Sequence, residues 1–290
     1  MSDLTLGQAI RDLARRLERV RIETPQREAR LIAAHALNMT MARLSVSEND
    51  LLDEGEVHAL NLAVAPRLER RPLSHVLGRR AFYKHEFHVG PDVLDPRPDT
   101  ETLIRAALER RFERLLDLGT GSGAILLSLL AERPLAQGVG TDLSCAALDV
   151  ARANTKRLGL TGRVDLIQSD WFAEVTGTYD LIVSNPPYIA LDEMETLAPE
   201  LAFEPRMALT DESDGLSAYR VICSQAGAYL KAGGALMVEI GPTQGAAVAE
   251  LMQAANLCEI RILPDLDGRD RVVCGGMRGM ENGVSLPQSA

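Results

Sequence analysis

Leu115-Leu116-Asp117-Leu118-Gly119-Thr120-Gly121-Ser122-Gly123 is an apolar run that ends in three glycines at alternate positions, and Ala124-Ile125-Leu126-Leu127 follows it. A strand that enters a glycine-rich turn and leaves as a helix reads as half of a βαβ unit. Glycine there permits positive φ and lets a ligand come close to the backbone. The spacing G-x-G-x-G differs from the dinucleotide pattern G-x-G-x-x-G, and no Gly-Lys-Ser/Thr follows, so this is not a Walker loop. Taken alone, it is equally a tight βα turn that binds nothing.

Downstream the pattern continues. Strands are predicted at 114–118, 137–141, 163–168, 179–184, 234–240, 257–263 and 271–275, with helices at 122–132, 144–158, 215–231 and 243–254. This alternation predicts an α/β fold: a seven-stranded, mostly parallel, Rossmann-like sheet with helices on both faces. A loop without a helix, 264–270, joins the last two strands, so the last strand should run antiparallel. Residues 277–290 mix Gly, Asn, Ser and Pro and are expected to be a disordered tail.

Upstream the texture is helical. Leu4, Leu6, Ile10, Leu13, Leu17 and Val20 mark one amphipathic helix. Thr24-Pro25 opens a second, as a cap followed by proline at the first helical position. Asp53-Glu54-Gly55-Glu56 is a capping-box pattern that opens a third, which Pro66 should kink. Residues 1–75 thus read as a small all-helical domain and 76–100 as a hairpin or linker. Residues 101–276 read as the α/β domain, whose first helix Asp99 or Thr100 would cap.

Composition narrows the classes of function. Of 290 residues, 46% are hydrophobic and 25% charged, as in ordinary globular proteins. Basic and acidic residues cancel within 1–75, so the rest of the chain carries the whole net charge of −10. An acidic body disfavours binding that depends on neutralising phosphates, and no direct nucleic-acid contact is expected. Cys145, Cys223, Cys258 and Cys274 lack zinc or redox spacing, and His75, His85 and His88 form no helical metal pair, so no metal is expected. The N-terminus has no signal-peptide pattern, and no apolar run is long enough to span a membrane.

Three further segments stand at successive strand ends, where ligands bind in open α/β sheets. Asp142 follows Gly123 by 19 residues, at the end of Val139-Gly140-Thr141, and could accept both hydroxyls of a ribose. Asp170-Trp171-Phe172 could clamp the edge and face of an adenine. Ser184-Asn185-Pro186-Pro187-Tyr188-Ile189 ends the buried strand Tyr179–Val183 in a stiff turn, because two prolines cannot continue the ladder.

In these four segments and their order the sequence resembles the class I S-adenosylmethionine-dependent methyltransferases. More narrowly, it resembles the protein-glutamine methyltransferase family (PrmC/HemK) that acts on peptide chain release factors. Further matches are Pro96-Arg97-Pro98-Asp99-Thr100-Glu101, Gln168 to Phe172, Glu204-Pro205-Arg206-Met207-Ala208-Leu209, and Asp214-Gly215-Leu216 before Tyr219-Arg220. Asn-Pro-Pro-Tyr alone is shared with DNA-adenine methyltransferases; its combination with the flanking segments is more specific. Two features depart from the family pattern: Pro66, and Thr210-Asp211-Glu212-Ser213 where glycines are frequent.

The resemblance implies a methyltransferase sheet and S-adenosyl-L-methionine as methyl donor, with S-adenosyl-L-homocysteine as product and no metal. It implies cofactor contacts from Gly119, Thr120, Gly121, Ser122, Gly123, Asp142, Asp170, Trp171 and Asn185. Catalysis would fall to Asn185, Pro186 and Tyr188, and substrate binding to these three with Pro187. The target would be the glutamine N5 of the Gly-Gly-Gln loop of a release factor, gripped by the N-terminal domain of a cytoplasmic monomer. The alternatives are a glutamine in a ribosomal protein and, at greater distance, adenine in DNA.

The chemistry suits those residues. An amide nitrogen is a poor nucleophile, because its lone pair is delocalised into the carbonyl. Two acceptors, the Asn185 side-chain oxygen and the Pro186 carbonyl, could hold its NH2 group so that the lone pair faces the methyl. The Tyr188 ring is expected to pack on the amide. Alignment of this kind contributes on the order of 7–11 kcal/mol.

Overall fold

The structure is a computed structural model and describes residues 4–279. Its chain divides into two compact units. Unit 1 comprises 1–80, 89–91 and 197–204; unit 2 comprises 81–88, 92–196 and 205–290. The stretch read as a linker is therefore shared between the units, and a short piece of the later chain belongs to unit 1. The expected tail lies, from 280 onward, outside the described residues.

Unit 1 is built from α1 (Leu6–Arg19), α2 (Pro25–Ala36), α3 (Met41–Val46), α4 (Glu54–Leu68) and α5 (Leu73–Leu77). Thr5 and Gln8 close a capping box on α1, and Asp53 and Glu56 close the one on α4 that the sequence shows. Pro66 lies in the last turn of α4, where few helical bonds remain to be lost. Thr24 makes no side-chain cap bond; Pro25 alone marks the start of α2. Leu6, Leu13, Leu17, Ile32, Leu44, Leu60 and Val64 form one buried cluster. Each such side chain stabilises the fold by roughly 1.5–3 kcal/mol. Inside this unit Arg67 is 6% exposed and grips Glu28 with both Nε and Nη2, at 2.6 and 3.3 Å. Its Nη1 donates to Glu200 at 3.1 Å, and Arg70 reaches the same carboxylate at 2.7 Å. This is what holds 197–204 to unit 1.

A two-stranded hairpin, β1 (Arg79–Phe82) with β2 (His85–His88), leads to a 3₁₀ turn, Pro98–Thr100, and then α6 (Glu101–Leu108). Neither expected cap of α6 acts as one. Thr100 is already in right-handed helical geometry and makes no cap bond, because its hydroxyl is turned to the interior.

The sheet of unit 2 comprises β3 (Arg114–Leu118), β4 (Gln137–Asp142), β5 (Val164–Gln168), β6 (Tyr179–Ser184), β7 (Leu230–Glu239), β8 (Cys258–Pro264) and β9 (Asp270–Gly276). The order is β5-β4-β3-β6-β7-β9-β8, and β9 runs against the direction of the other six. The antiparallel last strand is thus inserted between β7 and β8. Helices α7 (Ala124–Glu132), α8 (Cys145–Arg157), α9 (Ser217–Tyr229) and α10 (Gly245–Ala254) connect the strands. Strand β7 begins four residues earlier than expected, through a bulge at which Gly233 takes φ +78°.

Two glycines of β4 set how closely α7 approaches the sheet. A Cβ on Gly138 would meet Leu126 at 2.6 Å, and one on Gly140 would meet it at 2.9 Å. On the other face Leu116, Leu118, Ile182, Leu236 and Val238 pack with Tyr219 and Ile222 of α9. The chain order reverses between β3 and β6, which places a crevice at their carboxyl ends.

Candidate active site

At that crevice the register pairs Leu118 with Ser184, and the Ser184 hydroxyl donates to the Leu118 carbonyl at 2.7 Å. The glycine loop after β3 and the Asn-Pro-Pro turn after β6 therefore leave the sheet side by side. A cavity of about 640 Å³ opens there, a size suited to a cofactor-scale molecule.

Of the residues expected from sequence, Gly119, Thr120, Gly121, Ser122, Asp142, Asp170, Trp171, Asn185 and Pro187 line this cavity. Gly123, Pro186 and Tyr188 do not. Gly123 adopts φ +79° as the entry residue of α7, and a Cβ on it would press on Leu127 at 3.0 Å. Its task is to seat the helix. Pro186 is buried, and the Tyr188 ring packs onto the core beside α9 and β7. Burial foremost pushes the Tyr188 phenol up to about 12, so it is a neutral hydroxyl at physiological pH and no base.

The loop is held from within. The Thr120 hydroxyl donates to Asp117 at 2.7 Å, and the two oxygens of Asp142 accept from Gly121 N–H and Ser144 N–H, each at 2.9 Å. Asp142 thus shapes the glycine turn whatever else it binds. Burial raises its pKa, against the pull of those N–H groups. Asp117 is fully buried, and desolvation pushes it up to about 7. Trp171 takes φ +49°, an uncommon conformation for an aromatic residue, on the cavity wall.

The Asn-Pro-Pro-Tyr turn is fastened from its far side. Gln244 Nε2 donates to the carbonyls of Tyr188 at 2.9 Å and Gly215 at 3.1 Å. Ile189 N–H donates to the Leu209 carbonyl at 3.0 Å. Within the site, Asn185 Nδ2 donates to Thr100 Oγ1 at 3.5 Å, while Asn185 Oδ1 is buried and has no partner. A buried amide oxygen left unmatched costs about 1–3 kcal/mol unless a donor reaches it.

Several wall residues were not singled out from sequence: Val93, Leu94, Thr100, Met207 and Ala208. The last three lie in segments that carried the family resemblance, which was the only signal for a place in the site. Among the described residues no group of three His, Cys, Asp or Glu is placed to hold a metal ion, and no helix is long and apolar enough to cross a membrane.

Residues 93–212 match the family described as "Methyltransferase small domain", and residues 8–78 match "PrmC N-terminal domain". A protein of Cereibacter sphaeroides named "Release factor glutamine methyltransferase" is 50% identical over 266 residues, covering 91% of this chain and 96% of that protein. A protein of the same name from Rhodospirillum rubrum is 43% identical, covering 96% and 86%. The solved 16S rRNA N2 G1207 methyltransferase of T. thermophilus, in complex with AdoMet and guanosine, superposes with a TM-score of 0.51. That match covers 69% of this chain and 50% of the other. At 21% identity its likeness is one of fold.

Proposed function

The chain belongs to the release factor glutamine methyltransferase family, and from that premise we propose how its site performs the transfer and on what. The chain is a protein-glutamine methyltransferase. Its methyl donor is S-adenosyl-L-methionine, and its target is the N5 nitrogen of the glutamine in the Gly-Gly-Gln loop of a peptide chain release factor. Translation termination takes place in the cytoplasm, so we place the enzyme there.

The residues present fit such a cofactor. A glycine-rich turn, the Asp142 carboxylate at the next strand end, and Asp170 with Trp171 beyond it surround one cavity of adequate size. We assign Gly119, Gly121 and the backbone between them to the amino-acid portion, Asp142 to the ribose, and Asp170 with Trp171 to the adenine. When bound, the cofactor supplies an electrophilic methyl carried on a sulfonium.

The choice of a release factor rests on the relatives' name, and the observation that carries the chemistry is the buried, unpartnered Oδ1 of Asn185. A neutral primary amide offers two N–H donors, and Oδ1 accepts one. We assign the other to the Pro186 carbonyl, aimed by the fixed φ of proline. With both N–H groups held, the nitrogen lone pair faces one direction, and both acceptor dipoles favour the positive charge that the nitrogen gains. The nitrogen sheds its extra proton afterwards, to water. Tyr188 contributes by bracing the turn rather than by acid–base work, since its phenol stays protonated. We assign the helical residues 1–75 to gripping the release factor away from its loop.

The test is a transfer assay with methyl-labelled S-adenosylmethionine offered to a release factor, its Gly-Gly-Ala variant, ribosomal proteins and unmethylated DNA. Label on the release factor that disappears in the variant is the expected result. Label on a ribosomal protein or on DNA instead would overturn the substrate.

A further inference from the structure

Two residues outside the recognised ligand set stand directly behind Asn185. Thr100 is 4% exposed and accepts from Asn185 Nδ2; its own hydroxyl is hydrogen-bonded to Glu239, which is 1% exposed at the end of β7. The second carboxyl oxygen of Glu239, Oε2, has no hydrogen-bond partner. A carboxyl buried this deeply on one hydrogen bond is costly, and such groups gather at functional sites.

We propose that Glu239, acting through Thr100, is a positioning residue that decides which end of the Asn185 amide faces the substrate glutamine. The inference rests on the role given to Asn185 above. Its logic lies in donor and acceptor counts. An ionised carboxylate only accepts, so the Thr100 hydroxyl must donate to Glu239. The hydroxyl oxygen then has only lone pairs left for Asn185, which must offer its NH2 end. Oδ1 is thereby turned to the substrate, where an acceptor is required. A protonated Glu239 can donate to Thr100 and release the hydroxyl to donate in turn. The Asn185 amide then gains by reversing, and an NH2 group would face the NH2 of the substrate.

The charge state of Glu239 therefore selects the productive rotamer. Burial foremost pushes the carboxyl up to about 7, opposed by the Thr100 bond and by the charge of Arg271 on β9. Asp99 adds to the rise and Arg97 opposes it, both from the turn that carries Thr100. Tyr188 and, from α9, Tyr219 also face it, and both phenols are raised and stay neutral. Arg271 donates to Asp265 and the Ile240 carbonyl and pairs with Asp99, and so acts on Glu239 through space.

The experiment measures methyl transfer to a release factor by wild type, Thr100→Val, Thr100→Ser and Glu239→Gln between pH 5.5 and 9. For each protein the melting temperature and the calorimetric Kd for S-adenosylhomocysteine are recorded in parallel. Wild-type kcat should rise through a limb near pH 7. Thr100→Val, which keeps shape and loses the hydroxyl, should lower kcat about 10-fold or more and abolish the limb, with the KM for release factor and the Kd within about twofold of wild type. Thr100→Ser should restore both rate and limb, and Glu239→Gln should lose the limb. The inference is overturned if Thr100→Val keeps the wild-type rate and limb. It is also overturned if its loss of rate follows a matching loss of melting temperature or cofactor affinity, or if serine fails to rescue. A wild-type protein that leaves the release-factor glutamine unmethylated would overturn the underlying reading of Asn185 instead, and this inference with it.

Discussion

A Cβ on Gly215 would lie 2.3 Å from the carbonyl oxygen of Tyr188, and Gly215 itself sits at φ +74°. Gly215, two residues before α9, and the last residue of the Asn-Pro-Pro-Tyr turn therefore interlock, with Gln244 bonded to both carbonyls. No side chain fits at 215 without moving the turn that carries Asn185. Gly215→Ala should lower kcat by two orders of magnitude or more and depress the melting temperature. Gly268→Ala is the control: its φ is +80°, but nothing lies within 4 Å. It should cost only the strain of a left-handed residue, on the order of 1–2 kcal/mol, with full activity. Equal kinetics for the two variants would refute the interlock.

Asn185→Ala removes the unpartnered oxygen assigned to the substrate. By analogy with a preorganised group in an oxyanion hole, kcat should fall on the order of 100- to 1000-fold. Calorimetry should find the cofactor Kd little changed, because the glycine loop and Asp142 remain. Undiminished turnover would remove Asn185 from the chemistry.

Asp142→Ala should act on binding. It strips two backbone N–H groups of their acceptor and removes the group assigned to the ribose. The cofactor Kd should rise roughly 10- to 100-fold, in line with lost hydrogen bonds to a charged group. An unaltered constant in titration calorimetry would place the ribose elsewhere.

The buried Asp117 makes stability depend on pH. Its folded pKa, about 7, exceeds the ordinary 3.8. The native state therefore holds the proton more tightly than the unfolded chain. The associated stability is complete below pH about 4 and is lost as pH rises through 7. Asp117→Asn keeps the shape and an acceptor for Thr120 while removing the titration. Thermal melts from pH 5 to 8 should show a flatter profile for the variant and a higher melting temperature than wild type at pH 8. Parallel profiles would show that Asp117 titrates in the ordinary range.

Arg67 and Glu28 test the helical unit. Arg67→Met leaves Glu28 buried without its bidentate partner and should cost roughly 3–5 kcal/mol. The double change Arg67→Met with Glu28→Leu should recover most of that loss, since an apolar pair of similar volume can replace a buried ion pair. A double variant no more stable than the single one would argue against the pairing, and chemical denaturation measures both.

Much of this was legible because local chemistry and global fold agree. Strands 114–118 and 179–184 read as apolar runs bounded by turn residues, and both have those limits in the structure. The capping box at Asp53 and Glu56 forms as its spacing predicts. Short elements escaped: α3 and α5, of six and five residues, are too brief to show periodicity. Glycine weakens a strand interior, and the close approach of Leu126 is what Gly138 and Gly140 accommodate. Gly123 read as a ligand residue because its neighbours in the motif are cavity residues; its side-chain-free face serves Leu127. Thr100 and Glu239 could not be joined by any local rule, since 139 positions separate them and only the sheet brings them together.

The ownership of 197–204 bears on how such proteins can be recombined. The helical unit is not a cassette with one seam: its chain leaves, passes through most of the catalytic sheet, and returns as a single short turn whose Glu200 serves Arg67 and Arg70. A graft that exchanged only residues 1–91 between relatives would import two arginines matched to a carboxylate that stays behind in the host. A chimera that carries the 197–204 turn along with the helices keeps both arginines with their carboxylate.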